Sequence, residues 1–400
     1  MTVPKLEFPP FRLPAQSEDL RLEVREFLAK TLPTIKTEDR FATWTTRSVE
    51  FSRALGARGW IGITWPKKYG GSERSFLDRF VVTEELLGNG APAGAHWVAD
   101  RQSGQLLLKF GSEAQREQIL PRITRGECYF SIGMSEPDSG SDLASVRTRA
   151  EPVGDGFRVN GTKIWTSGAH RNHYCIALVR TSGKHGDRQK GLSQILVDLK
   201  TPGVTIRPVI NLAGRHEWNE VTFTDAFIPR DCLIGNEGEG WKQVTSELAF
   251  ERAGPERFLQ NFHVLGELIR VLGRHPSKRV AAIVGRLVAR LWTLRQMAVA
   301  LAGMLQDGKS PVIEAALVKD LGTIYQLSLI HIFEISPDHP QRHGRTGLRG
   351  SAQGDRTAGR DRLPASQGHA GRQGRGHRAR HHHQPAVCAR LRPVLRPPCQ

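Results

Sequence analysis

The spacing of apolar positions changes character twice along the chain. Between Ser17 and about Gly126 it is helical. In DLRLEVREFLAKTLP, Leu20, Val24, Phe27 and Leu28 share one side, Leu22 lies off that stripe and Pro33 closes the segment. Helical spacing resumes in RSFLDRFVVTEELLGNG, RQSGQLLLKFG and EAQREQILPRI, with the glycine-bounded, aromatic-rich connection GWIGITWPKKYGG before them. From near Cys128 the pattern shortens. The segments GFRVNGTKIWTSG, HYCIALVRT, GLSQILVDLK, VTIRPVI and NEVTFTDAFIP are rich in β-branched residues and separated by Gly, Pro or Asn, which predicts strands. Phe157 and Val159, two apart, are expected on one face of such a strand. After Gly235 helical spacing returns, and Gly308 with Pro311 punctuates it as helix ends do.

These patterns predict an α+β chain: an N-terminal helical domain over 1–126, a central β domain over 127–234 and a partial C-terminal helical bundle over 235–330. Residues 331–400 hold no sustained period and read as a basic irregular or disordered tail. From 341 onward there are thirteen Arg and two Asp but no Lys, so most of the net charge of +17 belongs to this tail. It therefore does not steer the reading of the rest. Two accounts of the tail stand side by side. A basic extension would attract nucleic-acid phosphates weakly. An out-of-frame reading of a GC-rich gene would give the same abundance of Arg, Gly, Pro and His without Lys, beginning after about Gln326.

Composition narrows the class. A hydrophobic content of 38% over 400 residues gives enough material for more than one packed core. No apolar stretch approaches a membrane span, and MTVPKLEFPPFRLPAQSEDL lacks the apolar centre of a secretion signal, so a cytoplasmic location is expected. The five cysteines are irregularly spaced and read as ordinary thiols. The run His381–His383 sits near no ligand-bearing pattern, and no metal site is assigned.

Two segments carry candidate chemistry. CYFSIGMSEPDSGSDLASVRTRA places Ser135, Ser139 and Ser141 around a tight turn that could offer hydroxyls and backbone N–H groups to a diphosphate or a polar ring edge. A plain structural turn reads equally well. In VNGTKIWTSG, Trp165 ends an apparent strand and Thr166 and Ser167 follow; an aromatic at a sheet edge can cover a planar cofactor, or it can simply be core. In the last helical block, Val244, Leu248, Glu251, Pro255, Phe258 and Phe262 form one stripe, with a carboxylate on it. Burial would raise the pKa of Glu251 toward the range of a general base, and a structural ion pair is the alternative reading. Glu247, one turn earlier, is the other carboxylate to consider.

Taken together with GWIGITWPKKYGG and NEVTFTDAFIPRDCLIGNEGEGWKQV, these segments resemble the acyl-CoA dehydrogenase family from about residue 18 to about 326. The resemblance implies FAD held between the central and C-terminal domains. It assigns Met134 and Ser135, and Trp165, Thr166 and Ser167, to the flavin, Ser141 to the CoA portion of the substrate, and Leu248 and Arg252 to the acyl-CoA cleft. Glu251 becomes the base that removes the α-proton while the β-hydrogen leaves as hydride to the flavin, giving a trans 2,3-enoyl-CoA. Implied partners are the acyl-CoA substrate, a second copy in a homodimer or homotetramer or a paired family subunit, and electron-transferring flavoprotein. A catalytically inactive partner subunit is a further reading. Two departures stand out: the arginine, phenylalanine and glycine motif that usually opens the second bundle helix is missing, with LIRVLGRHPSKRVAAIVGRL in its place and Arg270 and Arg274 as the nearest cations, and, the larger of the two, the family pattern is lost after about Gln326.

Overall fold

A computed structural model describes residues 6–41, 45–252 and 254–330, with backbone alone at 185, 247–252 and 330. Helices α1 (Ala15–Thr31), α2 (Val49–Gly56), α3 (Phe76–Gly88), α4 (Gly104–Phe110) and α5 (Glu113–Thr124) come first. Their starts follow local chemistry. The hydroxyls of Ser48 and Ser75 accept the N–H groups of Phe51 and Asp78, and Ser112 with Gln115 forms a reciprocal cap. As expected, Leu20, Val24, Phe27 and Leu28 are buried and Leu22 is exposed.

The middle of the chain is an eight-stranded mixed sheet. Its strands are β1 (Phe130–Gly133), β2 (Arg149–Val153), β3 (Gly156–Lys163), β4 (Tyr174–Arg180), β5 (Leu192–Asp198), β6 (Val204–Ile210), β7 (His216–Pro229) and β8 (Leu233–Ile234). They run in the order β6-β7-β3-β2-β4-β5-β8, and β1 lies parallel to β4. One set of side chains, including Phe130, Ile176 and Leu196, packs on the helical core of Val24, Trp60 and Trp65; another, including Phe157, Val159, Val221 and Phe223, forms a core of its own. Phe157 and Val159 are both fully buried, as their shared parity requires.

The chain then returns to helices: α6 (Gly240–Arg252), α7 (Glu256–Leu259), α8 (Phe262–Leu272), α9 (Lys278–Gln306) and α10 (Val312–Ile330). The stripe from Val244 to Phe262 does not lie on one helix. Alpha-helical backbone stops at Arg252, because Pro255 has no N–H to donate and biases Gly254 away from helical geometry. Burial nevertheless continues past the break at Pro255, Phe258 and Phe262. Alpha-9 is bound to the N-terminal helices by charge as well as by apolar packing: the buried Glu84 of α3 accepts from Arg21 of α1 at 2.8 Å and from Arg295 of α9 at 2.6 Å. On α10, Val312, Ile313, Leu321, Ile324 and Leu327 are exposed. Arg270 is exposed too, and is spent on Glu267 of its own helix. No helix among the described residues is long and apolar enough to cross a membrane. The tail over 331–400 lies outside the described residues.

Candidate active site

The ends of β1 and β3 bring the two chemically suggestive segments together. The Ile164 N–H donates to the Ser135 carbonyl at 2.9 Å, and Lys163 Nζ donates to the Met134 carbonyl at 3.1 Å. Lys163 is fully buried and ion-paired with Glu136 at 2.8 Å. Glu136 also accepts the N–H groups of Arg147 at 2.6 Å and Thr148 at 2.9 Å. Burial by itself would raise this carboxyl, but the Lys163 ammonium and these donors hold it below its usual range. Burial lowers Lys163, and Glu136 acts against that. Met134 is half-buried, packing against a cluster that includes Val146, Leu178 and Val244 of α6.

Trp165 lies two residues past the end of β3, in the left-handed region at φ 61. It is 55% exposed and meets Trp218 edge-on with ring centroids 6.1 Å apart, so it is not a core residue. Thr166 is its opposite, with no exposed surface. Its backbone N–H and C=O pair with Asn219 at 3.0 and 3.1 Å, yet its hydroxyl has no hydrogen-bond partner. Ser167 is exposed and lends its carbonyl to the Ser131 hydroxyl at 2.8 Å.

Asn219 organises this strand end. Its amide nitrogen donates to the Thr166 carbonyl at 2.9 Å. Its carbonyl oxygen faces His170 Nδ1 at 3.0 Å and His216 Nε2 at 2.7 Å, so both imidazoles must carry their proton there. The two rings stack with centroids 3.6 Å apart. Burial, with the neighbouring Arg171, brings His170 down to about 4.

A cavity of about 630 Å³ adjoins this segment, bordered by Trp97 and Arg101 of the N-terminal region, Phe130 and Trp218 of the sheet, Ser167 of the turn after β3, and Glu256 of α7. Arg101 stands on a π-helical turn, Ala99–Ser103, the kind of irregularity that re-aims a side chain. Its guanidinium lies over the Trp97 ring at 4.9 Å and forms a buried ion pair with Glu256.

The sequence-derived residues therefore separate into groups. Met134, Ser135, Trp165, Thr166 and Ser167 are adjacent, and Ser167 borders the cavity. Ser141 is exposed in the loop after the Glu136–Ser139 turn and is not among the cavity's lining residues, while Ser139 is spent on the Asp142 carbonyl and the Ser145 hydroxyl. Leu248, Glu251 and Arg252 belong to α6, but their side chains lie outside the described residues. Arg101, Trp218, Asn219 and Glu256 were not foreseen. Asn219 opens a motif used for the resemblance, with Trp218 just before it, and could have been singled out; nothing local marked Arg101 and Glu256. A flavin fits this segment on one physical count: the exposed Ser167 borders the cavity two residues from the exposed Trp165 indole, a hydroxyl and an aromatic face of the kind a planar ring with polar edges takes up. Among the described residues no group of three or more His, Cys, Asp or Glu is placed to hold a metal ion.

Comparison with known proteins agrees. The acyl-CoA dehydrogenase N-terminal domain matches residues 14–127, and the acyl-CoA dehydrogenase middle domain matches 131–226. The chain is 33% identical over 285 residues to the acyl-CoA dehydrogenase IpdE1 of Mycolicibacterium smegmatis, covering 66% of this chain and 70% of that one. It is 37% identical over 250 residues to IpdE1 of Mycobacterium tuberculosis, covering 62% of this chain and 64% of the relative. The match thus spans less than two thirds of that protein. Among solved structures, the ChsE4-ChsE5 complex from Mycobacterium tuberculosis superposes with a TM-score of 0.70 at 30% identity, over 81% of this chain and 86% of the other. The Tcur3481-Tcur3483 steroid ACAD gives 0.71 at 29% identity, over 82% and 88%.

Proposed function

Because the chain belongs to the acyl-CoA dehydrogenase family, we propose that it carries out FAD-dependent α,β-dehydrogenation of an acyl-CoA thioester to the trans 2,3-enoyl-CoA. The observation that carries this reading is the adjacency of Met134–Ser135 and Trp165–Ser167, of which Ser167 borders the cavity. Segments some thirty residues apart in sequence meet where β1 and β3 end.

In this reading Met134, Ser135, Trp165, Thr166 and Ser167 hold the isoalloxazine, and bound FAD supplies the acceptor for the β-hydrogen. Glu251 removes the α-proton, which is acidic because the thioester carbonyl stabilises the resulting negative charge. Ser141 meets the CoA portion in the solvent, and Leu248 and Arg252 belong to the acyl-CoA cleft. Trp97, Phe130 and Trp218 give the cavity its apolar walls and exclude water from the reacting carbons. A space of about 630 Å³ falls within the range of ligand pockets and suits a bulky acyl group, the kind of substrate that the name of the steroid ACAD indicates for that protein.

We assign the chain to an oligomer, either homodimer, homotetramer or a pair with another family subunit; the ChsE4-ChsE5 complex supports the paired form. Its electrons pass to an electron-transferring flavoprotein, and its location is cytoplasmic. The test is a visible spectrum of the purified protein before and after anaerobic addition of straight, branched and ring-bearing acyl-CoA thioesters. Bleaching of the bound flavin by wild type but not by Glu251→Gln is expected. A protein that binds flavin but is bleached by none of them is a non-catalytic partner subunit, and one that comes out colourless and refuses added FAD ends the reading.

A further inference from the structure

The turn after α6 is clasped by charge. Arg101, on the π-helical turn, and Glu256, the first residue of α7, join across 155 positions of sequence with both side chains almost wholly buried. Gly254 lies under the pair: a methyl group on its α-carbon would overlap both Glu256 Oε2 and Arg101 Nη2. Glycine is the residue that lets the two charges close over the backbone at this point.

A buried ion pair is a poor device for stability, since desolvating the charges offsets much of their attraction and well-packed apolar side chains do as well. Here Glu256 Oε2 even lacks a hydrogen-bond partner. What the pair does provide is placement, because a guanidinium N–H fixes a carboxylate in direction as well as in distance. Both partners border the cavity, and Gly254 stands three positions after Glu251.

We propose that Arg101, Gly254 and Glu256 are positioning residues for the base: their clasp sets where the C-terminal end of α6, and with it Glu251, stands relative to the cavity. The inference rests on reading Glu251 as the base, and its test separates the two. Full-length protein loaded with FAD is mixed in D2O with a 3-thia-acyl-CoA, in which sulfur replaces the β-carbon. This thioester keeps its acidic α-protons but has no hydride to lose. The carboxylate takes an α-proton, the C–H electron pair is held by the thioester carbonyl, and a deuteron returns to the carbon. Loss of the α-proton signal by NMR thus reads the base alone.

Wild type exchanges and Glu251→Gln does not. Gly254→Ala and Glu256→Gln exchange roughly 10- to 100-fold more slowly, the size of effect expected from a displaced catalytic group. They keep their flavin, and the pH of half-maximal exchange moves, which a mere loss of folded protein would not cause. Arg101→Lys, which retains the charge, falls in between. Should Gly254→Ala fail to fold by circular dichroism, the other two variants decide. Wild-type rate and wild-type pH midpoint in those variants, with Glu251→Gln inert, overturns the clasp and leaves the base standing. Exchange by Glu251→Gln at the wild-type rate removes the base and the clasp together.

Discussion

Lys163 Nζ reaches the Met134 carbonyl at 3.1 Å, joining the last residue of β3 to the first residue beyond β1. The same ammonium neutralises Glu136, whose other contacts hold the start of the next segment at Arg147 and Thr148. One buried cation therefore keeps both proposed flavin-binding segments in register.

Lys163→Met is expected to destabilise the protein by about 3–5 kcal/mol, because it leaves the Glu136 carboxylate buried without its counter-charge. The flavin-to-protein absorbance ratio should fall with it, as the Met134 carbonyl loses its anchor. A double variant, Lys163→Met with Glu136→Gln, should recover stability more than flavin retention. Equal flavin content in the single variant and wild type would separate the ion pair from the cofactor.

Thr166→Val tests the unpaired hydroxyl directly. Removing a buried hydroxyl that has no partner should stabilise the flavin-free chain by about 1 kcal/mol. Flavin retention should stay at the wild-type level, because a hydroxyl with no exposed surface is out of a ligand's reach. A raised thermal midpoint with unchanged flavin content is the expected result; loss of flavin would show that the hydroxyl opens to the ring.

Trp165 offers a cleaner separation. Its side chain is more than half exposed, and replacement by Ala should change the stability of the flavin-free protein by no more than about 0.5 kcal/mol. Flavin occupancy should drop. Trp165→Gly should lower flavin occupancy too but raise stability slightly, since glycine takes the left-handed backbone at φ 61 without the steric cost. An unchanged absorbance ratio in both would count against an indole over the ring.

Acid should unfold the chain through its buried imidazoles. Burial lowers His96 and His263 from 6.5 to about 4, and His96 is held neutral against Ser52 at 2.8 Å. The folded state then binds fewer protons than the unfolded one between those values. Stability is full above pH 6.5 and falls as the pH drops toward 4, by up to about 1.4 kcal/mol per pH unit for each such histidine. Thermal midpoints measured between pH 7.5 and about 4.5 should follow that course, and His96→Gln should flatten it. A pH dependence identical to wild type would mean that His96 titrates normally.

The buried thiols should be inert. Burial pushes Cys175 to about 12 and Cys128 to about 11, leaving almost no thiolate at neutral pH. Alkylation followed by peptide mass mapping should find both unmodified in the native protein and both modified in denaturant. Native labelling of Cys175 would show that the sheet opens locally.

The sequence by itself determined the succession of helices, sheet and helices, because hydrophobic period is a property of neighbouring residues and survives without any knowledge of the fold. It also supplied the parity of Phe157 and Val159, the exposure of Leu22, and the motifs behind the family resemblance. Even the break after Arg252 was legible in principle, since glycine followed by proline stops a helix for local steric reasons. Tertiary structure alone decided what those elements bring together. The meeting of Ser135 with Ile164, the left-handed turn that exposes Trp165 while burying Thr166, and the pairing of Arg101 with Glu256 depend on strand register and helix docking. Such contacts join residues whose separation along the chain carries no periodic signal, so only the folded backbone could bring them into range.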